Sequence, residues 1–359
     1  MASADDHASR PALEQAVSTL AADLLAQDEA PGAAIALWRD GVPLVEMAVG
    51  SADLAGDVAL TANARFPVYS VTKTLIAAAL LRLAERGVVG LDEPLQAYLP
   101  DITLTTRSTL RQVLLHTAGL PDYGPLPEYQ RAVREQTQQP WSDDEFVRRT
   151  LKNGELAQPG SGFRYSNLGY MWLRLVLQRV TGGSFAAALA AEVFEPLGLR
   201  ETYVAVSLAD MAALSPGYST AVEDGDTPID VRPLYHPGWV AHGLVISTAH
   251  EIAVALDGLF AGRLLKPESL AVMLAGRAIG ETHPLFAEPA YGLGLMMDIG
   301  SATPVAGHTG GGPGYSIGAY SRLAERERLT SVALVNRDIG MPGMRIATAL
   351  LQMADRLRG

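Results

Sequence analysis

The order of strand-forming and helix-forming segments constrains this chain most: runs of β character stand at both ends, and helical periodicity fills the middle. Near the start, Leu13, Val17, Leu20 and Leu24 recur at helical spacing, giving a helix over 11–28 that Pro31-Gly32 stops. Two strands follow, 33–38 and 42–49, joined through Arg39-Asp40-Gly41 as a hairpin turn. Residues 66–73 open a helix that reaches Arg86 and closes at Gly87. From about 91 to 240 the spacing predicts helices at 107–116, 142–151, 168–180 and 184–194, separated by Pro and Gly loops. After Gly243 come helices at 247–260 and 267–275, strands at 291–298, 304–308, 316–323 and 329–335, and a final helix over 342–358. Strands must pair to bury their apolar faces, so the two ends belong to one sheet. The pattern therefore predicts an α/β (α+β) fold, a single domain over 1–359. Its α/β lobe is 1–66 plus 242–359, and 67–241 is an inserted, mainly helical lobe. A cleft between two lobes is a natural place for a site.

Composition narrows the function. The net charge of −11 disfavours a general nucleic-acid binder, which needs clustered Lys and Arg to neutralise phosphates. Cysteine is absent, so a disulfide framework, a thiol nucleophile and a thiolate metal site are all excluded. The segment Met1–Ala30 has no basic start and no long apolar run, so the expected location is the cytoplasm. The most apolar stretch, Thr74–Leu83, is too short to span a bilayer and contains Arg82, so no membrane span is expected. His250-Glu251 begins like a zinc-protease signature, but Val254 stands where the second histidine belongs. No metal and no cofactor are expected, and His116 and His242 are read as structural.

Three segments could carry chemistry. Ser70 and Lys73 stand three apart at the start of a helix, so the amine can reach the hydroxyl and activate it. The same spacing also suits a helix-capping serine followed by a solvated lysine. Tyr165-Ser166-Asn167 follows a Gly and Pro loop. A phenol beside Lys73 would have its pKa lowered by the cation and could take the proton of Ser70, while Asn167 could bind a substrate amide. Taken alone, this segment equally fits a packed tyrosine and a capping asparagine. In Gly307-His308-Thr309-Gly310-Gly311-Gly312-Pro313-Gly314 the glycines suggest close approach of a backbone or a ligand, or a plain hairpin turn. His308 could add a donor or a positive charge near Tyr165.

In this order, Ser70-Val71-Thr72-Lys73, Tyr165-Ser166-Asn167 and His308-Thr309-Gly310 resemble the three signatures of the serine β-lactamase and penicillin-binding superfamily. The resemblance is to the branch of class C β-lactamases, D-Ala-D-Ala carboxypeptidases, D-aminopeptidases and carboxylesterases. It extends through Leu114–Leu120, Tyr165–Gly183, Pro196–Leu199 and Gly243–Thr248, from about residue 30 onward. It implies an antiparallel sheet flanked by helices, with Ser70 as nucleophile between the lobes. Lys73, Tyr165 and His308 would be catalytic, and the backbone N–H groups of Ser70 and Gly311 would form an oxyanion hole. Asn167, Thr309 and Gly310 would bind substrate. Members that recognise a carboxylate often carry a hydroxyl residue where this chain has Gly311, leaving Thr309 as a donor.

The expected activity is hydrolysis of an ester or amide of a small molecule or short peptide, of esterase, amidase or D-amino-acid peptidase type. Transfer of the acyl group to an alcohol or amine uses the same residues. β-Lactamase or cell-wall D,D-carboxypeptidase activity and a non-catalytic sensor rank below these. Gly314-Tyr315-Ser316-Ile317-Gly318 fits a nucleophile elbow, but Ser316 begins a strand where the elbow needs a helix and no histidine follows His308, so Ser316 is read as structural. The oligomeric state is not set by the sequence.

Overall fold

Strands from the two ends of the chain do meet in one sheet. The computed structural model describes residues 4–102, 104, 106–153, 156–300 and 303–356. Helix α1 (Ala4–Gln27) leads into β1 (Gly32–Arg39), β2 (Val42–Gly50) and the short β3 (Phe66–Pro67). The middle holds α2 (Thr72–Glu85), α3 (Leu110–Leu114), α4 (Pro127–Glu135), α5 (Asp143–Asn153) and α6 (Asn167–Thr181). It continues with α7 (Phe185–Leu189), α8 (Glu195–Leu197), β4 (Tyr203–Ala205), α9 (Leu208–Ala212), β5 (Tyr218–Ser219) and β6 (Ile229–Asp230). After β7 (Leu244–Ser247) come α10 (Ala249–Phe260), α11 (Pro267–Leu274), β8 (Arg277–Ala278), β9 (Pro289–Gly292) and β10 (Leu295–Asp298). The chain then runs through β11 (Val305–Gly312), β12 (Tyr315–Ala324) and β13 (Glu327–Val335) to α12 (Pro342–Arg356).

Eight strands form an antiparallel sheet in the order β2-β1-β13-β12-β11-β10-β9-β8. The residues of β1 alternate between two cores, as a pleated strand requires. Ala33, Ile35 and Leu37 pack with Val17, Leu25, Ile346 and Leu350 of the terminal helices. Ala34, Ala36 and Trp38 face the other way, into the large core shared with α2, α6 and α10. The sheet is thus flanked by helices on both faces, with α1 and α12 on the first and α2, α6 and α10 on the second.

Local details differ from the periodicity. The run 291–298 is a hairpin, because Leu293-Gly294 turns the chain between β9 and β10. The strand expected at 304–308 continues to Gly312, so the glycines lie within a strand and the turn falls at Pro313-Gly314. The helix expected over 107–116 shrinks to α3, started by a Thr109–Gln112 capping box. Helix α4 escapes the periodicity reading because only Ala132 and Val133 of its nine residues are buried. No helix among the described residues is long and apolar enough to cross a membrane.

Candidate active site

Ser70 does not open a helix. It occupies a single 3-10 turn, Tyr69–Val71, ahead of α2. Tyr69 holds a left-handed backbone, φ 44°, which costs a bulky residue on the order of 1–3 kcal/mol and persists only where the surroundings impose it. Two features impose it here. The Tyr69 hydroxyl donates to the Pro313 carbonyl at 2.7 Å. The turn also lies directly on β11: a Cβ on Gly310 would stand 2.3 Å from the Val68 carbonyl oxygen, and one on Gly312 would stand 2.2 Å from the Tyr69 ring. Only glycine allows that approach, which sets the nucleophile against the strand edge. Beyond Gly307 that edge has no strand partner on the β10 side.

From the first turn of α2, Lys73 reaches back to Ser70, with Nζ 3.0 Å from Oγ. The lysine is fully buried. Burial pushes its pKa down to about 7, against the opposing charge of Asp122. Near neutral pH a large share of Lys73 is therefore free amine, with a lone pair available to the Ser70 proton. Tyr165 donates its hydroxyl to the same Oγ at 3.0 Å, from the loop before α6.

The structure departs from four expectations at the site. The phenol of Tyr165 is pushed up, not down, because burial penalises the phenolate and Asp122 adds negative charge. Tyr165 is therefore a neutral phenol that donates to Ser70 Oγ. His308 reaches the site but brings no charge: burial and Lys73 push its imidazole down to about 3. Its Nδ1–H donates to the Thr309 carbonyl at 2.5 Å, and its Nε2 accepts from the Tyr291 hydroxyl at 2.9 Å. Thr309 points to the opposite face of β11 and donates its hydroxyl to the Ile317 carbonyl at 2.7 Å, leaving no proton for a ligand. Gly310 packs under Val68 and is absent from the cavity wall, where Gly311 and Gly312 stand instead.

Asn167 does come to the site, as a bridge. Its Oδ1 accepts from Lys73 at 2.7 Å, and its Nδ2 donates to Asp122 at 3.1 Å, leaving one N–H for a ligand. Asp122 also accepts the backbone N–H of Asn167 at 2.8 Å. Burial pushes the Asp122 carboxyl up, against these donors and the charge of Lys73. On the other side, the buried ring of His242 lies 3.5 Å and 3.4 Å from Lys73 Nζ through its two nitrogens. His116 accepts the Ser166 backbone N–H at 3.1 Å and stacks beneath Tyr165, ring centroids 4.3 Å apart. Burial and the charge of Lys73 push His116 and His242 down, so both are neutral.

Asp122 and Tyr291 escaped the sequence reading, and His116 and His242, read there as structural, lie against Tyr165 and Lys73. His242 had one signal, its place near the lobe junction beside Gly243. Asp122 and Tyr291 had none, since their partners are distant in sequence. Ser316 is buried in β12 with its Oγ accepting the Gly343 N–H at 3.2 Å, away from the cavity. A cavity of about 220 Å³ opens at Ser70, walled by Asn167, His242, Gly311 and aromatic rings.

The family model described as Beta-lactamase matches residues 17–354. The chain belongs to the β-lactamase family. A D-aminopeptidase of Brucella anthropi is 28% identical over 313 residues, 86% of this chain and 57% of that protein. The esterase EstB of Burkholderia gladioli is 34% identical over 186 residues, 47% of this chain and 46% of its own. Among solved structures of the β-lactamase fold, a D-stereospecific amidohydrolase from Streptomyces sp. superposes with a TM-score of 0.77 and 27% identity. That superposition covers 95% of this chain and 98% of the other. The chain thus spans less than two thirds of the length of these two curated relatives.

Proposed function

We propose that the protein is a serine hydrolase that cleaves an ester or amide through an acyl-enzyme on Ser70. The observation that carries this reading is the convergence of a buried amine and a neutral phenol on one hydroxyl, each 3.0 Å from Ser70 Oγ. Relatives named as a D-aminopeptidase and an esterase support the same reaction class. Neutral Lys73 takes the Ser70 proton as Oγ bonds to the acyl carbon. Oxyanion charge then falls on the carbonyl oxygen, where the backbone N–H groups of Ser70 and Gly311 receive it. Collapse breaks the bond to the leaving group, which departs with the proton carried by Lys73 and passed through Tyr165. Water repeats the sequence: one proton goes to the base, the oxygen bonds to the acyl carbon, and Ser70 regains its proton as the acid is released. In this scheme His308 is a positioning residue, a neutral ring tied between Tyr291 and Thr309.

The test is a fluorophosphonate probe with intact-protein mass spectrometry and peptide mapping, beside Ser70→Ala and Ser316→Ala variants. An adduct on Ser70, with ester turnover lost only in Ser70→Ala, is the expected result. An adduct on Ser316, or none on the folded protein, would overturn the assignment.

A further inference from the structure

Five aromatic residues line the cavity at Ser70: Tyr69, Tyr123, Tyr129, Tyr235 and Trp239. Their polar tips are engaged by the protein. The Tyr69 hydroxyl donates to the Pro313 carbonyl at 2.7 Å, and Tyr129 donates to the Trp239 carbonyl at 3.1 Å. Tyr235 bonds to the Tyr129 hydroxyl. Tyr123 accepts the Ala241 N–H at 3.1 Å, and Trp239 Nε1 donates to the Thr137 carbonyl at 2.9 Å. What these side chains offer a ligand is chiefly ring surface.

No Lys, Arg, Asp or Glu is among the described residues that form this wall. The nearby charged groups are committed elsewhere. Lys73 is buried on Ser70 and Asn167. Asp122 lies behind Asn167 and Gly124, its Oδ1 holding the Asn167 backbone N–H and its Oδ2 the Asn167 side chain. A charged group entering the cavity would lose its water and find no charged side chain in the wall to pair with directly, which disfavours it. The volume, about 220 Å³, lies below the range of about 300–1,000 Å³ usual for larger ligands and suits a single ring.

We propose that this cavity selects a neutral acyl group bearing an aromatic ring or an apolar group of similar size, with neither an α-ammonium nor a carboxylate. The inference rests on the hydrolase reading and goes beyond it. It separates the protein's specificity from that of an enzyme acting on unblocked D-amino acids, although both share the acyl-enzyme chemistry.

The discriminating pair is methyl 3-phenylpropanoate and D-phenylalanine methyl ester, which share a skeleton and differ in the ammonium. Methyl acetate serves as the ringless control. A methyl leaving group is too small to fill the cavity itself, and acid release is followed by pH-stat on the wild type, with the Ser70→Ala rate subtracted. The expected result is a kcat/KM for the phenylpropanoate at least about 10-fold above both other esters, as polar mismatch and lost ring burial dictate. An equal or higher value for D-phenylalanine methyl ester overturns the proposal while leaving the hydrolase reading intact. So does an equal value for acetate. Hydrolysis of all three no faster than with Ser70→Ala overturns both.

Discussion

Replacing Asp122 by Asn tests whether Lys73 is the base, because it removes a charge that acts on the amine through a single intervening amide. Lys73 donates to Asn167 Oδ1 at 2.7 Å, and Asn167 Nδ2 donates to Asp122 at 3.1 Å. That relay places the carboxylate on the order of 7 Å from the amine. With an effective dielectric constant of about 20, Coulomb's law gives an attraction of ~2 kcal/mol. This is equivalent to about one and a half pH units. The attraction favours the ammonium, so its loss lowers the pKa of Lys73 further below its present value of about 7. A base works when deprotonated, so with Lys73 as the base the wild-type kcat/KM should rise as pH passes upward through about 7. In Asp122→Asn the same rise should occur near pH 5.5, about one and a half pH units lower. The assay is ester turnover across the pH range, with circular dichroism at each pH to confirm the fold. The absolute rate should fall too, because the new amide turns an N–H toward a donor of Asn167. The position of the acid limb is the decisive readout, since a purely structural role would not move it. A limb that stays at about pH 7 or rises would refute the assignment of Lys73 as the titrating base.

Tyr165→Phe removes the hydroxyl donated to Ser70 Oγ and should lower the acylation rate by about 10²-fold, read by single-turnover kinetics with an ester. His242→Phe keeps a ring beside Lys73 but removes both nitrogens that face Nζ. Because the ammonium loses an acceptor, the acid limb should shift to lower pH by about half to one unit, read from the same profile. Gly312→Ala would drive a methyl into the Tyr69 ring, which Pro313 holds in place, and should cost about 1–3 kcal/mol in denaturant unfolding. Gly311→Ala meets nothing within 4 Å and should leave the unfolding midpoint unchanged.

The two-ended sheet and the contact of Lys73 with Ser70 were legible because each rests on local information. Apolar spacing marked β1, β2, β12 and β13, and an interval of three residues put the Lys73 amine within reach of the Ser70 hydroxyl. Protonation states were not legible, since burial is a property of the assembled core. The same Lys73 that suggested a lowered Tyr165 pKa is itself pushed down, and Tyr165 is pushed up. Asp122 stands 45 residues before Asn167, and no periodicity links them. Thr309 was partly legible. Had the strand been continued through the glycines, its alternation would have put Thr309 on the face opposite His308.

The register that pairs Ala33 with Val335 has a consequence for how the protein is made. Gly32–Trp38 are buried in the finished sheet, yet β1 gains its second neighbour only when β13 exists, some 300 residues later. At ~5–20 residues per second a ribosome needs roughly 15–60 s to bridge that interval. Throughout it the nascent chain carries a sticky apolar strand with one bare edge, a condition that invites chaperone binding or self-association. A polypeptide stopped before β13 therefore has no closed sheet to fall back on, and fragments from premature termination should be cleared or aggregate, not persist as partly active pieces.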